Sequence, residues 1–318
     1  MKTTLKSVAV VMALILSATA CKKNSDKPVF VKMDEILAKN ALPTQSFTGD
    51  AGTGFSIKGE KGIKITFPAN ALQDGNGNIV TGTVTVTLKE VLSKKDVMFS
   101  GVMTESNGQI LESGGELLVK AQKDGKDLQI VPDAQIKVEV PKVMNDKDMG
   151  LFVLGRREKD PNGGNNGGQQ PPQFQNTWLP APYAPFGNGP NSYSFNLPAF
   201  TWVNCDRFFS DPNPKTTITV SPVFLDNNQV SDLQVMLVFR DIQTVITLPF
   251  NYGINKFESY PYSLPVGLKA DLVMIGKDNE GYLQFGTQLV TISTNMHIDA
   301  NMHKANQSEV DAFLATVH

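Results

Sequence analysis

The stretch GIKITFPANALQDGNGNIVTGTVTVTLKEV, residues 62–91, decides the fold class. Ile63, Ile65 and Phe67 alternate with Lys64 and Thr66. Val84, Val86 and Leu88 alternate with Thr83, Thr85, Thr87 and Lys89. Alternation of β-branched with polar residues gives a strand one wet and one buried face. Between the two runs lies DGNGN (Asp74 to Asn78), the turn chemistry that joins antiparallel strands.

The same pattern recurs outward. In QIKVEV, Ile136, Val138 and Val140 alternate with Gln135, Lys137 and Glu139, and SNGQ and KDGKD supply further Asn-Gly and Asp-Gly turns. Residues 46–145 are therefore expected to form one antiparallel β-sandwich domain. Strand-like runs return after about Asn191. LQVMLVF (Leu233 to Phe239), apolar at nearly every position, predicts a central strand covered on both faces. The chain closes on NQSEVDAFLATVH, in which Val310, Phe313, Leu314 and Val317 recur at helical spacing. Ser308 with Asp311 predicts a capped helix over 308–317. The expectation is an all-β protein of two antiparallel sandwich-like domains, 46–145 and 146–318, ending in a short helix.

Between Glu158 and Asn176 the composition changes to EKDPNGGNNGGQQPPQFQN. A segment this rich in Gly, Asn, Gln and Pro has little to bury. Flanked by MGLFVLG and NTWLPA, 158–176 is expected to be a disordered loop inserted in a hairpin; an interdomain linker is the alternative.

The N-terminus has a different order. Lys2 and Lys6 precede the apolar SVAVVMALIL, then small residues lead to Cys21. That is the layout of a cleaved secretory leader, too short to span a bilayer. A cysteine at the cleavage point makes 1–20 resemble a lipoprotein signal, with Ala18, Thr19 and Ala20 before an acylated (palmitate-bearing) Cys21. The resemblance implies attachment to a membrane through that lipid. Lys22 after the cysteine implies the outer membrane of a cell envelope. Residues 21–45 are expected to be a tether.

A second resemblance rests on residues 62–91 together with TESNGQILESGGELLVKA (Thr104 to Ala121). The strand, the Pro-Ala-Asn-Ala-Leu turn and the second alternating strand resemble the ZU-type β domain of ankyrins and netrin receptors. Closer still are outer-membrane lipoproteins of Bacteroidota that carry such a block after a lipidated cysteine. Asn70 stands where Gly is commoner in that turn. The resemblance implies a non-catalytic scaffold or protein-interaction module and no active-site residues.

The rest of the sequence bounds the chemistry. With 29 Lys and Arg against 31 Asp and Glu in 318 residues, the chain has no basic footprint for nucleic acid. Its two cysteines, Cys21 and Cys205, leave no disulfide framework once Cys21 is acylated. The three histidines, His297, His303 and His318, crowd the C-terminus without any zinc or hydrolase spacing. No catalytic residue, metal site or cofactor is expected. WVNCDRFF places the Cys205 thiol beside Asp206 and Arg207; a buried thiol with Arg207 paired locally is favoured over a reactive one. In PFNYGINKFESYPYSLP, aromatics interleave with Asn and Gly. Tyr252, Phe257, Tyr260 and Tyr262 are candidate ligand-binding residues. Packing within a hairpin is the simpler account, and stacking on a glycan or anchoring another envelope protein the functional one.

Overall fold

The computed structural model describes residues 29–144, 148–158, 174–226 and 229–317. The leader 1–20, Cys21, His318 and all but the ends of the Gly/Asn/Gln/Pro segment lie outside the described residues.

The period-two strands build a sandwich. One sheet runs, in spatial order, through Gln45–Asp50, Thr83–Val91, Gln109–Lys123, Trp202–Phe208, Gly150–Glu158 and Phe174–Pro180. The facing sheet runs through Phe186–Asn188, Ser192–Asn196, Lys137–Pro141, Lys64–Phe67 and Phe55–Lys58. Ile63, Ile65, Phe67, Val84, Val86, Leu88, Ile136, Val138 and Val140, the residues assigned to the inner face, are each at most 2% exposed. Tyr193, Val203 and Cys205 complete this core.

The expected division at 145/146 is corrected here. Strands between residues 150 and 208 sit inside both sheets, with Trp202–Phe208 inserted between Gln109–Lys123 and Gly150–Glu158. The first sandwich therefore extends to about residue 208. Alternation tells which face a residue takes; it carries no information about which strand lies beside it. The Gly150–Glu158 and Phe174–Pro180 strands pair as a hairpin across the Gly-rich segment, as the loop expectation requires.

The second sheet system is ordered Val245–Thr247, Val230–Phe239, Lys269–Asp278, Leu283–Thr291, His297–Lys304, Thr219–Phe224, Lys256–Glu258, Phe250–Asn251. Its pairs are antiparallel except Thr219–Phe224 with His297–Lys304, which run parallel. The central strand expected from LQVMLVF is covered on both faces. Val235, Leu237 and Phe239 enter the sandwich core, while Met236 and Val238 enter a second apolar layer.

That outer layer joins the two halves. Three helices supply it: Met33–Lys39 (α1), Lys94–Ser100 (α2) and Gln307–Leu314 (α3). They bring Met33, Ile36, Val97, Met98, Val310 and Leu314 together with Val91 from the first sandwich and Val238, Val273 and Phe285 from the second. Ser93 and Asp96 form a reciprocal capping box on α2, and Gly101 ends it at φ 77°.

Two boundaries move. The cap of α3 is Asn306, whose Oδ1 accepts the Glu309 N–H at 3.0 Å, and Ser308 donates its hydroxyl to the same oxygen. The helix thus begins before Ser308, because Asn competes as well as Ser for the cap and lies two residues closer to the preceding strand. The tether expectation of 21–45 also fails for its second part. Val31 donates to Ala305 O and accepts from Leu283 N, Met33 donates to Gly281 O, and Met33 and Ile36 are each 4% exposed. Three residues apart on a helix, those two side chains share one face, and the outer layer covers it.

Candidate functional site

Where the first sandwich meets the second, backbone groups cross directly. Thr104 N–H donates to Val245 O at 3.0 Å, Ser113 N–H to Gln243 O at 2.9 Å, and the Thr244 hydroxyl to Leu111 O at 2.6 Å. On this face of the sheet lie Glu116, Asn204 and Asp206, each with no solvent exposure, and Ser113. Glu116 is the register partner of Asn204, and Asp206 that of Ser113, with a bulge between Asn204 and Asp206. The extra residue of the bulge lies at Gly114–Gly115 of the Gln109–Lys123 strand, and ordinary alternation along Trp202–Phe208 puts Cys205, like Val203, on the opposite face in the sandwich core.

Asn204 ties the acids together. Its Nδ2 donates to Asp206 Oδ2 at 2.5 Å and reaches Glu116 Oε1 at 3.4 Å, while its Oδ1 accepts from the Ser113 hydroxyl at 3.1 Å. Glu116 Oε2 and Asp206 Oδ1 are buried without a hydrogen-bond partner among the described residues. Burial pushes the Glu116 carboxyl well up from its ordinary value, and the nearby Asp206 and Asp96 charges push the same way. Asp206 is likewise raised, first by burial; the Ser113 hydroxyl opposes this, and Glu112 adds to it. Both carboxyls are therefore held toward the neutral acid, which can donate a hydrogen bond. Glu112 itself pairs with Arg207 at 2.5 Å, the local pairing expected for that arginine.

Cys205 has no exposure, and burial with the neighbouring Asp206 charge raises its pKa. A thiolate nucleophile needs the reverse surroundings. Sequence reasoning saw the Cys-Asp-Arg string but missed Glu116 and Asn204. Glu116 follows GG in a long strand, and nothing local marks it as buried. Glu90 is a contrast: 2% exposed, it accepts from Gln45 Nε2 and from the backbone N–H groups of Lys61 and Ile63, so both its oxygens are used.

The aromatic segment divides. Phe250–Asn251 and Lys256–Glu258 form a hairpin at the outer edge of the second sheet. Phe257 is 7% exposed and packs into the core, with the Phe250 ring edge-on at 5.1 Å. It is an anchor and is not available to a ligand. Tyr252, 5.0 Å from Phe250, is 89% exposed, and Tyr262 is 73% exposed. Tyr260 lies half-buried over Gly108, where a Cβ would meet its ring at 2.7 Å. The candidate set thus reduces to Tyr252 and Tyr262 as accessible rings.

His297 contacts Asp299 at 3.2 Å and His303 contacts Glu309 at 2.7 Å, two separate surface pairs. Among the described residues no three His, Cys, Asp or Glu side chains are placed to hold a metal, and no helix is long and apolar enough to cross a membrane. In DGNGN, Asp74 accepts the Asn76 and Asn78 N–H groups and the Asn78 amide, closing the turn on itself.

No family model matches the chain, and no curated protein does. Among solved structures, the gamma-CGTase of alkalophilic Bacillus clarkii aligns at 9% identity over 80% of this chain and 41% of that one, with a TM-score of 0.20. The chain spans less than half of that enzyme's length, and an overlap this slight carries no argument about fold or activity.

Proposed function

We propose that this protein is a non-catalytic envelope lipoprotein, anchored through Cys21, whose β-sandwiches form a scaffold that engages another envelope protein. The ZU-like character of residues 62–121 and the leader ending at Cys21 support this by resemblance. The observation that carries the binding role is the edge hairpin. A buried Phe257 fixes it to the core, and Tyr252, 89% exposed, and Ile254, 46% exposed, stand out from its tip. Rigid aromatic anchors at a sheet edge suit a protein interface better than solvent. The one thiol among the described residues, Cys205, is buried and held protonated, the reverse of what a nucleophile needs.

Cross-linking in intact cells, followed by pull-down from detergent-solubilised envelope, tests the reading. The wild type should capture a defined partner that Tyr252→Ser loses. Capture unchanged by Tyr252→Ser refutes the hairpin as the interface. Independently, Cys21→Ser should release the protein from membranes, since stable attachment needs more than one acyl chain. Normal processing and membrane fractionation of that variant would refute the anchor.

A further inference from the structure

An open cleft of about 210 Å³ lies at the junction of the two sandwiches, away from the edge hairpin. Its walls come from both halves: Gln109, Phe208, Phe209 and Ser210 from the first, Lys215 and Ser263 from the second. The backbone fixes this corner. Phe209 N–H donates to Ile110 O at 2.9 Å, Lys215 pairs with Pro265 and Thr216 with Leu264, and Val266 N–H donates to Pro214 O at 2.9 Å.

The lining combines three kinds of group. Phe208 keeps 42% of its surface exposed and is steadied edge-to-face by Phe152 at 5.4 Å. Gln109 and Ser210 bring an amide and a hydroxyl, both on exposed residues. Lys215 is exposed and enters no ion pair among the described residues, so its ammonium is open to a ligand on this wall. At the rim the chain is strained. Tyr262 sits at φ 51°, a left-handed conformation that costs a non-glycine residue about 1 kcal/mol. The Thr217 hydroxyl oxygen holds it there by accepting the Tyr262 N–H at 2.9 Å, and Ser263 donates to Tyr260 O at 2.8 Å.

A flat ring with adjacent amide and hydroxyl groups is the chemistry that receives a pyranose: C–H bonds lie on the aromatic face while the sugar hydroxyls take polar partners. An ammonium on the same wall selects a carboxylate-bearing ligand. A cleft of 210 Å³ holds one substituted six-membered ring, given that an engineered cavity of about 150 Å³ takes benzene. We infer that this cleft is a subsite for an acidic sugar, its ring on Phe208 and its carboxylate on Lys215. The assignment is independent of the protein-scaffold role of the edge hairpin.

Saturation-transfer NMR of the mature chain with galacturonate, and with galactose as the neutral control, tests it. Galacturonate should receive saturation and titrate with a Kd of about 1 mM, the range open to a ligand of this size. Galactose should bind about tenfold more weakly. Lys215→Gln, an exposed change that leaves packing intact, should weaken galacturonate about tenfold and leave galactose unaltered. Phe208→Ala should weaken both. Absence of saturation on galacturonate, equal binding of the two sugars, or binding unchanged in Lys215→Gln overturns the assignment.

Discussion

Replacing Glu116 with Gln keeps the side chain's shape and an oxygen for Asn204, and removes one ionisable group from the junction of the sandwiches. The direction of the effect follows from where the proton resides. In the unfolded chain a glutamate loses its proton near pH 4.3. In the folded protein burial and the Asp206 charge hold the Glu116 proton to well above that value. Between the two pKa values the folded state binds the extra proton, so stability falls as pH rises, by about 1.4 kcal/mol per pH unit for each such group. Below the unfolded value the group has no effect on stability. Asp206, also raised, adds a second contribution, and because the two acids interact they titrate as a pair. Glu105, which burial pushes up to about 7, contributes equally in both proteins and cancels in the comparison. Between pH 5.5 and 7.5 the wild type should lose up to about 3 kcal/mol more than Glu116→Gln, two units at the slope of one group. Urea unfolding midpoints at the two pH values measure this. Glu116→Gln should be the more stable protein at pH 7.5. Parallel pH profiles for the two proteins, or a variant less stable than wild type at pH 7.5, would refute the account of a buried neutral acid.

Cys205 should resist a thiol reagent in the native protein and react fully after denaturation, and Cys205→Ala should cost about 1–2 kcal/mol of unfolding free energy for the small cavity it leaves; rapid native labelling would make Asp206 and Arg207 candidate site residues. Asn306→Ala removes the acceptor for the Glu309 N–H and should lower stability by about 1 kcal/mol, read as a shift in urea midpoint, whereas Ser308→Ala should change it by less than about 0.5 kcal/mol. In the edge hairpin, Phe257→Ala should cost about 3–5 kcal/mol and Tyr252→Ala less than about 0.5 kcal/mol, since one ring is 7% exposed and the other 89%. Equal costs for those two would mean that the buried and exposed rings are wrongly assigned.

Much of the fold was legible because the inner-face residues announce themselves locally. Val84, Val86 and Leu88 alternate with threonines whatever lies opposite, and Met236 and Val238 interrupt alternation only because a second layer covers them. What could not be read was adjacency. Trp202–Phe208 lies between strands that begin at residues 109 and 150, and nothing within WVNCDRFF encodes either neighbour. The same limit hid the acid pair. Asp206 and Glu116 are ordinary polar residues in their own segments, and only the register Glu116 to Asn204 brings them under one amide. Tyr252 and Phe257 look alike in sequence for the opposite reason: a hairpin tip and its anchor share composition, yet Tyr252 lies in the turn and Phe257 on the Lys256–Glu258 strand with its ring in the core.

The bridged segment Phe30 to Lys32 has a consequence for how the chain is assembled in time. It is held by Gly281, Leu283 and Ala305, and Phe30 bridges to Asn306. Every one of its partners is therefore made some 250 or more residues later in synthesis. Contacts this distant in sequence form late, after the intervening loop has been closed by its own structure. A nascent chain that stops short of residue 281 leaves Met33 and Ile36 without Leu283, Phe285, Val310 and Leu314 of their layer and the α1 segment without its backbone anchors, however well its first sandwich has folded. Docking of this N-terminal segment then reports completion: protection of the Val31 and Met33 amides from hydrogen exchange should be the last to appear on refolding.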